Sequence, residues 1–302
     1  MAIQQEIWLR DIEGNIFPEN EFYMRSIDDT PFVMGGKIVH LPHAGAKPNV
    51  EKNRTQLPAP VAKRTDTENT YELDEFTTDP VLIQDTEAIE VSYPKRKSVL
   101  FEHQATLEER IADNFAYLWS ATLGTNIVRT SGAARGATMP GATGTRKAVT
   151  KDDFIEVLRL YTRMGAGRGG ICLIHPDMYA DILKIEGFVD ASKIGSANLI
   201  TGQVGRLLDF EIIQRAKTPI YDNSGTPVRK AVGAVGAAGD NLSALFYSPT
   251  AVRRAKGEVK IFMNEKDATF YGDVFSALVR AGGRKKRADE VGVIQLVEAH
   301  GA

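Results

Sequence analysis

Residues 44–90 sort their charges by sign, and no compact core can be built from them. Ala44 to Arg64 holds Lys47, Lys52, Arg54, Lys63 and Arg64 against Glu51 alone, with Pro48, Pro58 and Pro60 and almost no hydrophobic periodicity. Thr65 to Glu90 then holds nine acids and no Lys or Arg. Such a stretch cannot bury enough apolar surface to offset the entropy of ordering it, so it is either solvated or docked on another surface. Residues 1–33 behave alike, with seven acids against Arg10 and Arg25 and only isolated aromatics (Trp8, Phe17, Phe22, Tyr23). These features predict an extended N-terminal arm over 1–33 and a projecting two-stranded excursion over 34–90, with strands at Lys37–Leu41 and Thr70–Val81.

The rest of the chain carries the periodicity of a core. Leu100, Leu107, Ile111, Phe115, Leu118 and Leu123 recur at helical steps, which predicts a long amphipathic helix over Ser98–Leu123. Gly124 to Val149 is rich in small residues and reads as a flexible connection. Thr150 with Asp152 and Asp153 opens a second helix, whose apolar face is Phe154, Val157, Leu158 and Tyr161. Ile171–Ile174 reads as a buried strand, His175-Pro176-Asp177 as the start of a short helix, and Phe210–Gln214 as a further strand. The last fifty residues read as antiparallel strands at Val259–Met263, Phe270–Val279 and Val291–Val297, turning at Lys266-Asp267 and at Gly282-Gly283. The fold class is α+β.

Few residues offer chemistry. With 37 Lys and Arg against 39 Asp and Glu the chain is nearly neutral, unlike a basic nucleic-acid binder. No apolar run approaches a membrane span, and the acidic N-terminus is unlike a signal peptide. The single cysteine, Cys172, lies in an apolar strand, where an inert buried thiol is expected, in a reducing or redox-indifferent compartment. Gly165-Ala-Gly-Arg-Gly-Gly170 has dinucleotide-site spacing but runs helix, glycines, strand, the reverse of what phosphate binding needs, so a helix stop is expected. His40 and His43 lack further ligands for a metal, and there is no nucleophile elbow. No enzyme activity, cofactor or metal is therefore expected. Arg284-Lys-Lys-Arg287 reads as a solvated hairpin tip or an intersubunit contact, with phosphate contact as the sharper alternative.

The order of these parts resembles the major capsid proteins of tailed bacteriophages, whose fold is shared with encapsulins. The pieces that carry the resemblance are Lys95-Arg-Lys-Ser-Val-Leu leading into Glu108-Glu-Arg-Ile-Ala-Asp113, and Ile171-Cys-Leu-Ile-His-Pro176 followed by Tyr179 and Leu183. Gly202-Gln-Val-Gly-Arg-Leu-Leu-Asp-Phe-Glu-Ile-Ile213, Ala244-Leu-Phe-Tyr-Ser-Pro-Thr-Ala-Val252 and Tyr271-Gly-Asp273 complete it. The resemblance implies the phage major-capsid fold: an N-terminal arm (1–33), an extended hairpin or E-loop (34–90), a peripheral domain with its spine helix (91–149 and 251–302), and an axial domain (150–250). It implies self-assembly into hexamers and pentamers of an icosahedral shell around double-stranded DNA, made in the host bacterial cytoplasm and ending in the virion. A portal, a separate scaffolding protein and decoration proteins are the further partners it implies, since no long N-terminal extension is there to act as a fused scaffold. An encapsulin-type compartment shell is the alternative; the arm's lack of helical periodicity counts against it.

Charge then suggests which residues meet a neighbour. Lys47, Lys52, Arg54, Lys63 and Arg64 of one subunit would lie against an acidic surface of the next, either residues 66–90 with Glu72, Asp74 and Glu75 or the N-terminal arm. The basic clusters Arg253-Arg254 and Arg284, Lys285, Lys286 and Arg287 are the candidates for facing packaged DNA by weak, sequence-blind contact.

Overall fold

The computed structural model describes residues 22–34, 36–43, 50–55, 67–84, 95–167, 169–185, 203–267 and 269–301. In chain order β1 (Ile27–Asp28), β2 (Val33–Met34), β3 (Ile38–His43), β4 (Thr67–Glu72), β5 (Asp74–Thr77) and β6 (Val81–Gln84) precede the long helix α1 (Lys95–Trp119). Next come β7 (Ile127–Arg129), β8 (Ala134–Gly136), β9 (Thr145–Lys147), α2 (Lys151–Arg163), β10 (Gly170–Ile174) and α3 (Pro176–Ile182). The chain closes with β11 (Gln203–Leu207), β12 (Phe210–Gln214), β13 (Ser243–Tyr247), β14 (Val252–Asp267), β15 (Gly272–Lys285) and β16 (Val293–Val297).

A six-stranded mixed sheet, ordered β11-β12-β10-β13-β16-β7, separates two cores. β10, β13 and β16 are buried along their whole length, because alternate residues serve opposite faces and both faces are covered. On one face Cys172, Ile174, Phe246, Ile294 and Leu296 pack with Phe154, Val157 and Tyr161 of α2 and with Met178 and Ile182 of α3. On the other, Ile171, Leu173, Leu245, Tyr247 and Val293 meet Ile111, Phe115 and Trp119 of α1. This sheet takes β7 from residues 91–149 and β16 from 251–302, so it gathers strands from both sides of the divisions drawn on the sequence.

The opposite side of α1 lies on a second sheet, ordered β1-β14-β15-β5 with β6 also on β15. Ala277, Val279 and Ala281 of β15 face the helix. At Gly283 the approach is tight: an added Cβ would come within 3.0 Å of both Phe115 and Trp119. Full burial of Phe115 and Trp119 contributes roughly 1.5–3 kcal/mol for a side chain of this kind. Phe22 and Tyr23 join this core: Tyr23 stacks on Phe115 at 5.1 Å and Phe22 meets Trp119 edge-on at 5.9 Å.

α1 runs from Lys95 and stops at Trp119, short of Leu123, which is exposed. α2 begins as its sequence signals. The Thr150 hydroxyl accepts from the Asp153 amide, and the Asp153 carboxylate accepts from the Thr150 amide at 2.8 Å, a reciprocal capping box. In α3, His175 caps through Nδ1 onto the Asp177 amide.

Four expectations are corrected. The return limb of the excursion is not one strand. β4 pairs with β3 from Ile38↔Glu72 to His43↔Thr67, and after buried Leu73 the chain changes sheets as β5, pairing Leu278↔Thr77 to Ala281↔Asp74. Gly282-Gly283 is not a turn but lies inside β15, where the absent side chains admit Leu73 on one face and α1 on the other. β16 does not continue the β14–β15 hairpin but crosses to the six-stranded sheet, antiparallel to β13. The small-residue stretch after Gly124 is built structure. It supplies β7, the β8–β9 hairpin, and Arg146, buried and donating to the carbonyls of Thr143, Thr145, Ala238 and Asp240 at 2.9–3.0 Å.

Candidate assembly surfaces

β3 and β4 stand on the outer face of the second sheet over a very small apolar base, Val39, Leu73 and Ala255 with Val33 and Tyr71 beside them. So little buried area cannot fix the direction of a projecting hairpin, and polar links do the rest. The Leu73 amide donates to Lys37 O at 2.8 Å. Arg280 Nη1 donates to Gly36 O at 3.3 Å and binds Glu75. Asp29, 1 % exposed, accepts from Arg253 Nη1 at 2.8 Å and from the Tyr71 hydroxyl at 3.2 Å. Burial pushes the Asp29 carboxyl above its ordinary value, against the pull of Arg253. The Tyr71 hydroxyl is held above the usual phenol range by burial and by Asp29.

The charged residues singled out in the sequence divide by circumstance. Lys47, Lys63 and Arg64 lie outside the described residues. Lys52 is exposed, and Arg54 pairs with Glu51 at 3.4 Å. Glu72 is 3.6 Å from Lys37 with both side chains mostly in solvent, Asp74 accepts from Asn114 Nδ2 at 2.9 Å, and Glu75 holds Arg280 at 3.1 Å. These three acids lie in succession at the foot of the hairpin, all exposed.

The basic clusters are largely committed within the chain. Arg253 pairs with Asp29, Arg254 with Asp28 at 3.4 Å, Lys285 with Glu290 and Arg287 with Asp289, both at 2.5 Å. Arg284 donates to Lys285 O and Thr70 O, and Lys286 is exposed. Asp28, Asp29 and Glu290 thus decide what these cations can do, and sequence reading missed them. The doublets Asp28-Asp29 and Arg253-Arg254 were the available signal for two of them: β1 runs parallel to β14 with Ile27↔Arg253 and Asp28↔Arg254 in register. Nothing in the sequence marked Glu290.

The glycine motif after α2 is a helix stop, with Gly165, Gly167 and Gly169 all at positive φ and Gly170 pressed on Phe210. Cys172 is fully buried, and burial pushes its thiol well above the ordinary range. Among the described residues no three His, Cys, Asp or Glu side chains come together as metal ligands, and no helix is long and apolar enough to cross a membrane.

No protein-family model matches the sequence, and no curated protein is similar to it. Solved structures are similar over almost the whole chain. The capsid of Ralstonia phage GP4 superposes with a TM-score of 0.61 at 12% identity, covering 92% of this chain and 88% of that one. The capsid of a native GTA particle gives 0.61 at 12% identity, covering 95% and 92%. A virus-like particle from Pyrococcus furiosus gives 0.54 at 10% identity, covering 98% of each chain. The β3–β4 pair, the long helix and the two large sheets described above are therefore arranged in the fold of tailed-phage capsid proteins.

Proposed function

We propose that the chain is the major capsid protein of a tailed phage, assembling into hexamers and pentamers of an icosahedral shell that encloses double-stranded DNA. The observation that carries this reading is the extent of the likeness. Phage capsid chains align over about nine-tenths of their own length and of this one. The exposed acids Glu72, Asp74 and Glu75 give a docking surface for the basic segment 44–64 of a neighbouring copy. Each such contact is weak in solvent, but closed symmetry repeats it and adds avidity. A portal, a separate scaffold and decoration proteins complete the partners in this reading, with assembly in the bacterial cytoplasm. The arm (1–33), hairpin (34–90), peripheral (91–149 and 251–302) and axial (150–250) divisions are its working domains.

An encapsulin-type compartment shell is the second reading, favoured by full-length coverage of the Pyrococcus furiosus particle. Electron microscopy of the purified protein, alone and with segment 44–64 deleted, tests both. Closed shells from the full chain, and folded subunits that assemble poorly from the deletion, are expected. DNA inside native particles supports the capsid reading, and protein cargo supports the compartment. Failure of the full chain to close under any assembly condition overturns both, and normal shells from the deletion overturn the role of the hairpin.

A further inference from the structure

The chain crosses between its two large sheets three times, and one side chain ties the first crossing to the third. Residues 120–126 lead from α1 into β7, residues 248–251 from β13 into β14, and residues 286–292 from β15 into β16. Glu290, on the third crossing, is 2 % exposed and sits at φ +55. A glutamate in the left-handed region is strained and persists there only where its surroundings fix it. Here they do. Its carboxylate accepts from the amides of Thr122 (2.9 Å) and Leu123 (3.2 Å) on the first crossing, and from the Thr122 hydroxyl (2.5 Å). It also accepts from the Lys285 ammonium (2.5 Å) at the end of β15. Lys285 reaches on to Ser120 O at 2.9 Å, and Asn126 Nδ2 donates to Glu290 O at 3.4 Å. The second crossing is stitched in by backbone bonds, Ser248 N to Gly292 O and Lys286 N to Ala251 O, both 2.8 Å.

The charged and titratable groups around this node are few. Lys285 comes from β15. Arg229 lies over the Tyr117 ring at 4.0 Å and acts on Lys285 as a like charge, and the Tyr221 hydroxyl donates to Ala121 O at 2.6 Å. On the same loop Arg287 and Asp289 pair with each other in solvent. A protonated Glu290 would no longer be a charged acceptor for Thr122 and Leu123. It would also leave the Lys285 ammonium, 15% exposed and near Arg229, without its counter-charge.

We infer that Glu290 is an acid-released lock on the joint between the two sheets. Burial raises its carboxyl, but the Lys285 ammonium and the Thr122 and Leu123 donors outweigh burial, and the group is held below the ordinary glutamate value. A depressed carboxyl stabilises the closed joint above the pKa of the open form, and that stabilisation is lost as pH falls through the closed-form pKa. The lock is closed at neutral pH and opens in acid. In a shell subunit this joint sets the angle between the two sheets. The lock itself does not depend on the shell reading, because it is measured on unassembled chain.

The experiment is hydrogen exchange on the full-length subunit at descending pH, with protection factors corrected for intrinsic rate. The Thr122, Leu123 and Val293 amides are expected to lose protection by up to about ten-fold per pH unit as pH falls from the open-form pKa to the closed-form pKa, one proton being coupled to opening, and to level off below it. Protection at Ile171–Leu173 and Leu245–Tyr247 stays. Glu290→Gln should show the open pattern already at neutral pH. If the joint amides hold until the central strands release, the lock is refuted by the wild-type titration alone, whether or not the variant folds. A folded Glu290→Gln that protects Thr122 and Leu123 as wild type does at neutral pH refutes it as well. Subunits that show the transition but never form shells would count against the proposed function and leave the lock standing.

Discussion

Arg253 and Asp29, 224 positions apart in the chain, form a 2.8 Å hydrogen-bonded ion pair whose carboxylate is buried and whose guanidinium is only 21 % exposed. The pair binds the end of the N-terminal arm to β14, and through Tyr71 it holds the base of the hairpin as well. Removing one partner of a buried pair leaves the other charge without compensation, which costs far more than the pair contributes. Arg253→Ala is expected to cost about 3 kcal/mol, read as a lower urea midpoint with unchanged slope. The double variant Arg253→Met with Asp29→Asn should lose clearly less than the two single losses added. Additive losses would mean that the two side chains act independently.

The long helix was legible because its burial is periodic, and a second prediction tests its face. Ile111 is buried on α1 between the two sheets, whereas Glu109 is half exposed and bonded at its outer end to Lys217. Ile111→Asp places an unpaired charge in the core at a cost of several kcal/mol and should abolish soluble expression. Glu109→Ala loses a surface ion pair worth under about 1 kcal/mol. Equal loss in both variants would refute the assigned face.

What the sequence could not convey has a physical reason in each case. Alternation and helical period report that a face is buried, not what buries it, so β16 could be placed as a strand but not in its sheet. A glycine pair signals either a turn or a close approach. Gly282 and Gly283 are the second kind, and only the positions of Leu73, Phe115 and Trp119 decide it. Charge blocks showed that acids and bases must find partners, yet Asp28 and Asp29 find theirs within the same chain, more than two hundred residues away. The capping box of α2 was readable because Thr150 and Asp153 are three residues apart and need nothing else.

A third prediction concerns Glu298, which is 1 % exposed and binds Arg135 at 2.6 Å while accepting from the Leu242 amide. Burial outweighs Arg135 and pushes this carboxyl above the ordinary glutamate value. The folded state therefore holds the proton more tightly than the unfolded chain. The ionised side chain costs stability above the folded pKa, and that cost is relieved as pH falls through it. Glu298→Gln, which cannot ionise, is expected to be at least as stable as wild type at pH 7, with the gap closing under mild acid. A clear destabilisation at pH 7 that disappears as the wild-type carboxyl is protonated in acid would show that Arg135 requires the charge.

The last prediction concerns nucleic acid. Affinity for duplex DNA follows the number of phosphates that free cations can neutralise, and it falls with salt in proportion to that number. Arg253, Arg254, Lys285 and Arg287 already spend their charge on Asp29, Asp28, Glu290 and Asp289. Of the clusters singled out, that leaves Lys286, exposed, and Arg284, which is bonded only to carbonyls in the bonds described above. Unassembled subunits should therefore bind duplex DNA feebly, without sequence preference, and lose it by physiological salt. Lys286→Glu should lower the salt slope by about one, the signature of one lost phosphate contact. Reversing Arg253 is the wrong probe, because it would place a carboxylate against buried Asp29 and unsettle the hairpin base before any DNA contact is measured. Tight binding that survives high salt, or discrimination between sequences, would mean that the ion pairs open on DNA and that the chain reads nucleic acid directly.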